Sequence, residues 1–257
     1  MEYLLTSAII AFIYMSAIFI IAILLKDNSI VDIAWGGGFI ILTTAAAIVA
    51  GIQNLKQLLT IAVVFLWGMR LSVYIFLRNR GKGEDFRYAA WRKIWKWFYL
   101  RSFLQVFMLQ GFVMLIVAWP VLHILYRGAE VRTGVIDAAG LLIFVCGFCI
   151  ELISDRQMKL FSANPVNKGK LITTGLWKYS RHPNYFGEAL LWWGIWLLAV
   201  SVTDGLYTIA GPLLITLLLR YVSGVPMLEK KLEARDGWHE YKAQTPVFIP
   251  FFPKGRT

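Results

Sequence analysis

The chain has 257 residues, 58% of them hydrophobic and only 16% charged. Soluble domains carry roughly a quarter charged residues, so the composition excludes an ordinary water-soluble enzyme and requires lipid as part of the solvent. Basic residues outnumber acidic ones 26 to 15, but in a membrane chain their placement matters more than their total, and nucleic acid is not an inferred partner.

Crossing a bilayer takes roughly 20 apolar residues per helix. Seven stretches reach that length, at about residues 4–25, 30–52, 57–77, 103–126, 134–153, 186–203 and 205–225. They predict an all-α, polytopic membrane protein with seven transmembrane helices, forming a single integral-membrane domain over 1–257. The first stretch lacks a basic leader and an A-x-A site, so it is expected to be retained as a helix. The second opens with Asp32 and Trp35 on one face, followed by Gly36-Gly37-Gly38, which reads as a packing surface for a neighbouring helix. On the third, Trp67, Arg70, Tyr74 and Arg78 recur at helical spacing and form one polar stripe.

Segment 78–101 interleaves Trp91, Trp95, Trp97, Phe98 and Tyr99 with Arg92, Lys93 and Lys96, the composition of an interfacial helix. In the fourth stretch His123 reads as a hydrogen-bonded interfacial residue. Cys146 and Cys149, three apart in the fifth, share a helix face and read as a buried structural pair; no metal site is expected.

With the N-terminus outside, Lys26, segments 78–101 and 154–183 and the tail 226–257 fall on the cytoplasmic side and hold 21 Lys and Arg, against 3 on the opposite side. That asymmetry predicts a cytoplasmic C-terminus. Ionisable residues within spans are costly and point to function. Asp32, Glu151, Glu188 and Arg220 fall near the cytoplasmic ends of their helices, and Arg70 lies roughly 12 Å in at 1.5 Å per residue. Asp137 alone is near the opposite end. The shared depth predicts a polar cavity open to the cytoplasm.

The densest chemistry lies in 151–188. Glu151 and Asp155 share a helix face, a loop rich in Pro, Gly, Asn and Lys follows, and LWKYSRHPNYFGE leads into the sixth stretch. Pro183 suits a first helical turn, where its missing N–H costs nothing, and Asn184 and Glu188 are then i, i+4 neighbours. The new helix N-terminus offers N–H groups to an anion. Lys159, Lys170 and Arg181 add positive charge for phosphates, and Trp177, Tyr179 and Tyr185 offer flat surfaces for a base or nicotinamide ring. His182 is equally a structural cap or a cofactor contact. Tyr241 with TPVFIP in the tail is expected to close the site, as lid or as anchor.

LWKYSRHPNYFGE, with the preceding Asp155 and the tail RDGWHEYKAQTPVFIPFFP, resembles a superfamily of membrane reductases and methyltransferases. It contains the steroid 5-alpha-reductases, sterol C14 reductases and isoprenylcysteine carboxyl methyltransferases. VDIAWGGGFI, WGMRLSVY and RGKGEDFRY extend the resemblance, over nearly the whole chain, to the bacterial branch of the 3-oxo-5-alpha-steroid 4-dehydrogenase family. The resemblance implies an NADPH site facing the cytoplasm of a bacterial inner membrane. Asn184 matches the family's carboxamide-binding Asn, Glu188 the acid one turn later, and Asp155 the Asp ending the fifth helix. Lys170 stands where a family Arg contacts phosphate, Arg220 matches an Arg near the end of the last span, and Arg70 and Tyr74 match a pair on the third helix. The family's carbonyl-binding Glu has Asp32 as its match, and its companion Tyr falls at Trp67.

The implied reaction is hydride transfer from NADPH to a conjugated carbon–carbon double bond of a lipophilic, steroid-like enone, with Asp32, Tyr74 or Trp67 stabilising the enolate. In that role Asp32 is expected to be protonated or hydrogen-bonded, and Arg78 to lie with Arg70 among the cofactor contacts. The alternative is an S-adenosylmethionine-dependent methyltransferase of the isoprenylcysteine or phospholipid type. That branch carries a Glu-Glu pair after its last helix, where this chain reads Met227-Leu228-Glu229-Lys230-Lys231, with one acid. A transporter or scaffold is a third class, disfavoured by the lack of internal repeats.

Overall fold

Uninterrupted apolar runs give the longest helices. In a computed structural model, which describes residues 2–253, these are α1 (Glu2–Leu25), α2 (Ile30–Ala50) and α3 (Leu55–Asn79). Polar turns end them: Lys26 adopts positive φ after α1, and Asn54 caps α3 by accepting the Gln57 N–H at 3.0 Å. Then come α4 (Phe86–Ile94), α5 (Phe98–Ser102), a π-helical stretch Phe103–Met108, α6 (Leu109–Val117) and α7 (Trp119–Arg127). The long α8 (Val135–Ala163) and α9 (Pro183–Val200) precede α10 (Ala210–Leu217), a second π-helical stretch Leu218–Val222, α11 (Val225–Leu232) and α12 (Trp238–Gln244). No strand occurs among the described residues.

Six described helical segments are long and apolar enough to cross a membrane: Glu2–Leu25, Ile30–Ala50, Leu55–Asn79, Phe98–Val117, Val135–Ala163 and Gly205–Leu232. The expected sixth stretch, 186–203, falls on α9, which is not among them. Its first turns carry Pro183, Asn184 and Glu188 and its middle Trp192, Trp193 and Trp196, so its 18 residues dilute the apolar run. The fourth stretch begins earlier than expected, at Phe98, and breaks after Val117. Pro120 has no N–H for the carbonyl four residues back, which stops one helix from running through. The fifth helix continues ten residues past the expected end at 153, because Arg156, Gln157, Met158, Lys159 and Leu160 are good helix formers whether or not the segment is apolar.

The chain divides into two compact units, one comprising the residues up to Gly134 with Leu198–Gly211, the other Val135–Leu197 with the residues from Pro212 on. In the first, α2 and α3 meet through glycine. A Cβ on Gly36 would lie 2.4 Å from the Gly68 carbonyl oxygen, and one on Gly68 would lie 2.7 Å from the Gly36 oxygen. Gly36 thus serves packing, as its triplet suggested. Trp67 is fully buried against the Phe39 ring, with centroids 5.2 Å apart. Buried His123 bonds through Nε2 to the Thr203 carbonyl at 2.7 Å and through Nδ1 to Tyr3 Oη at 3.2 Å, the hydrogen-bonded role expected of it.

The second unit is built on a glycine seam between α8 and α9. Cβ atoms on Gly147, Gly187 and Gly194 would fall 2.5–2.6 Å from backbone atoms of the facing helix. Side-chain-free contact lets two helices pack closely without a hydrophobic drive between them. Cys146 and Cys149 correct the sequence reading: both are exposed, on the outward face of α8. The seam claims Phe144, Gly147 and Glu151 for the buried face, so the cysteines, one or two residues from them and therefore rotated by about 100° or more around the helix, turn outward.

Candidate functional site

In the first unit the chemistry begins where α2 receives segment 84–102. Asp32 Oδ2 accepts from Arg87 Nη2 at 2.7 Å and Oδ1 from the Tyr88 hydroxyl at 2.8 Å. Arg87 Nε also donates to Asp85 Oδ1 at 2.8 Å. Burial and the neighbouring Asp32 carboxylate push the Tyr88 phenol well above its ordinary range, so it stays protonated and donates. One turn back, Glu84 takes the Asn28 N–H at 2.9 Å and a two-pronged bond from Arg92. Burial alone would raise Glu84, but the Arg92 and Asn28 donors outweigh it and lower its carboxyl. Asp32 therefore accepts from two residues of the interfacial segment and anchors it. The Trp91 and Trp95 rings stack at 4.8 Å and 7°, and Trp97 and Ile94 stay exposed.

The α3 stripe forms as expected, with the Arg70 and Arg78 guanidinium carbons each 5.8 Å from the Tyr74 ring centroid. Trp67, at its inner end, is enclosed in the core.

In the second unit, 3₁₀ turn Gly175–Lys178 and the start of α9 carry the densest set. α9 begins at Pro183, where the sequence places its first turn. Asp155 and Asn184 are brought together from α8 and α9, with Asn184 Nδ2 donating to Asp155 Oδ1 at 3.3 Å. Asn184 Oδ1 is buried without a hydrogen-bond partner. Glu151 and Glu188 are buried on the same two helices. Tyr185 stacks on His182, with centroids 5.7 Å apart and planes 6° from parallel.

Arg181 is the hub. Its Nε donates to Glu229 Oε1 at 2.7 Å, its Nη1 to the Lys242 and Thr245 carbonyls, and its backbone N–H to the Pro246 carbonyl. His182 Nε2 lies 3.3 Å from the same Glu229 oxygen. Tyr241 donates to the Trp177 carbonyl at 2.6 Å, Ser180 to the Phe248 carbonyl at 2.7 Å, and the Phe251 N–H to the Tyr179 carbonyl at 3.0 Å. The tail is an anchor, sewn to 177–181 along its length. Glu229 and Ser180 were not among the expected site residues. The sequence signal for Glu229 was present as the lone acid of the MLEKK stretch, but its partners lie 47 and 48 residues away.

Burial pushes the His182 imidazole below its ordinary range, the hydrogen bond to Glu229 opposing it only in part. The unfolded chain thus takes up this proton before the folded one does, so stability falls as pH drops below about 6.5. We expect the melting temperature in neutral detergent to decline between pH 7 and 5 and to decline less in His182→Gln; equal slopes would remove His182 as the cause.

Two cavities adjoin these elements. One, of about 760 Å³, is polar and lined by Lys168, Lys170, Lys178, Asp236, Glu240 and Gln244. Lys159 is exposed on the last turns of α8 and does not line it. The other, of about 480 Å³, is apolar and holds Arg220 among Phe186, Leu190, Trp193, Val247 and Ile249. Arg220 stacks on Tyr221 at 4.6 Å. Among the described residues no group of three or more His, Cys, Asp or Glu side chains is arranged to hold a metal ion.

Residues 18–245 match the family described as "Protein of unknown function (DUF1295)". An uncharacterised protein of Schizosaccharomyces pombe is 27% identical over 164 residues, covering 55% of this chain and 47% of that protein. A probable O-methyltransferase of Ustilaginoidea virens is 41% identical over 58 residues, covering 23% of this chain and 20% of that protein. The chain thus spans about half or less of the length of these curated relatives. No solved structure matches.

Proposed function

The chain belongs to the DUF1295 family, and from that premise we propose that it is a membrane oxidoreductase using NADPH to reduce a conjugated double bond of a lipophilic, steroid-like enone. The observation that carries the reading is Asn184. Its amide N–H is committed to Asp155 while its buried carbonyl oxygen has no partner. An unsatisfied buried acceptor costs about 1–3 kcal/mol, which a carboxamide N–H of a nicotinamide would recover. The three lysines of the polar cavity suit a ligand with several phosphates. The bound cofactor would supply a hydride to the β-carbon while a solvent proton reaches the α-carbon, leaving NADP+ and the saturated ketone. Asp155 holds the Asn184 amide in one orientation, and the lysine ammoniums offset phosphate charge. The distribution of Lys and Arg supports a cytoplasmic location for these residues and an inner-membrane setting.

A second reading, an S-adenosylmethionine-dependent methyltransferase, is favoured by two observations. One relative is named a probable O-methyltransferase. Asp32 accepts hydrogen bonds at both carboxylate oxygens, which leaves it unsuited to donate to an enone oxygen unless Arg87 or Tyr88 withdraws.

Calorimetric titration of purified protein with NADPH and with S-adenosylmethionine separates the two. We expect saturable NADPH binding, weakened about tenfold or more by Asn184→Ala, as loss of one buried hydrogen bond implies. Saturation by S-adenosylmethionine alone would replace the reductase with the methyltransferase.

A further inference from the structure

The apolar cavity of the second unit holds a charge that the reading above does not use. It is formed by α9, the π-helical stretch around Arg220 and the tail residues Pro246–Ile249, and its volume of about 480 Å³ lies within the range of small-molecule sites. Four of its other polar groups, on Trp193, Thr216, Pro246 and Phe248, are already engaged. Trp193 Nε1 donates to Thr216 Oγ1 at 3.2 Å, and Thr216 in turn donates to the Pro212 carbonyl at 2.6 Å. The Pro246 and Phe248 carbonyls accept from the Arg181 N–H and the Ser180 hydroxyl. Arg220 makes no ion pair with a carboxylate among the described residues; its close neighbour is the Tyr221 ring, which covers one face of the guanidinium and leaves its N–H edge unspent.

A guanidinium within a candidate span is costly unless something compensates it. Here the compensation has to come from outside the chain and has to suit walls of Phe186, Leu190, Trp193, Val247 and Ile249. We propose that this cavity binds an amphiphile with one anionic head, carboxylate or phosphate, whose oxygens take the Arg220 N–H donors while its apolar tail lies along α9 and the tail segment. The same segment is fixed by Arg181 and Ser180, so the apolar wall is preformed and ligand binding need not order it.

Purified protein in maltoside detergent would be titrated with oleate, dodecyl phosphate, oleyl alcohol, inorganic phosphate and NADP+, binding being read by equilibrium dialysis of labelled oleate or dodecyl phosphate and by competition. We expect saturable binding of oleate or dodecyl phosphate, the stronger of the two identifying the head group. Arg220→Gln should weaken it about tenfold to a hundredfold, and Val247→Trp, which fills the cavity from the tail side, should abolish it. Oleyl alcohol and inorganic phosphate should each compete weakly, since each supplies half of the recognition. Equal binding of oleyl alcohol and oleate, or unchanged affinity in Arg220→Gln, would overturn the proposal. Competition by NADP+ that disappears in Arg220→Gln would also overturn it, by returning Arg220 to the cofactor. Failure of NADPH to bind at all would overturn the reductase reading and leave this site standing.

Discussion

Arg181→Ala is expected to lower stability by about 3–5 kcal/mol, the range for leaving one partner of a buried ion pair uncompensated. Only 8% of the Arg181 side chain and 13% of the Glu229 side chain are exposed, so solvent screens the pair little. The loss does not stop at the ion pair, because the same guanidinium bonds the Lys242 and Thr245 carbonyls. Without it the tail should peel from 177–181, and cleavage by a protease in the 233–250 region should accelerate while the first unit stays intact. At roughly 2–4 °C per kcal/mol for a chain of this size, the melting temperature in detergent should fall by about 6–20 °C. Arg181→Lys should recover only part of this, since an ammonium cannot reproduce the planar fork. A double change, Arg181→Met with Glu229→Leu, should be milder than Arg181→Ala because no charge is left buried alone. A melting temperature in Arg181→Ala close to that of wild type, within about 2 °C, would show that the hub carries little.

Gly187→Val is the second large effect. An added Cβ meets the Glu151 backbone nitrogen and the Gly147 carbonyl oxygen, both at 2.6 Å. Backbone atoms cannot rotate aside as a side chain can, so α8 and α9 have to separate. Overpacking costs about 1–3 kcal/mol where neighbours can yield and more where they cannot. We therefore expect Gly187→Ala to destabilise measurably and Gly187→Val to abolish well-folded protein in size-exclusion chromatography. A glycine in open space supplies the control: Gly83, where an added Cβ would meet no atom within 4 Å, should accept alanine within about 0.5 kcal/mol. Because Asp155 and Asn184 project from these two helices, Gly187→Ala should also lower ligand affinity beyond its effect on stability. Normal stability and binding in Gly187→Val would remove the seam as the element that sets the Asp155–Asn184 distance.

The glycine seam also marks the limit of what spacing reveals. Gly140, Gly147, Gly187 and Gly194 form two heptad-spaced pairs in the sequence, but an isolated glycine in an apolar helix has no period strong enough to announce its partner. The Gly36-Gly37-Gly38 triplet does announce itself, through density alone. The cysteines differ from expectation for a related reason: a shared helix face is legible from spacing, whereas which face turns inward depends on the helix packed against it.

Composition and hydropathy by themselves determined the helical membrane class and most of the long helices, because the burial of some twenty consecutive apolar residues is a property of the segment. The i, i+4, i+8 stripe of Arg70, Tyr74 and Arg78, and the Pro183 start of α9, are local geometry and were equally legible. Tertiary structure decided the partners. It gave Asp32 to Arg87 and Tyr88, 55 and 56 residues away, joined Arg181 and His182 to Glu229, and turned the tail into an anchor. Charged and polar side chains in a lipid-facing fold must find whatever donor or acceptor the packing brings within about 3 Å, and sequence separation carries no information on which one that is.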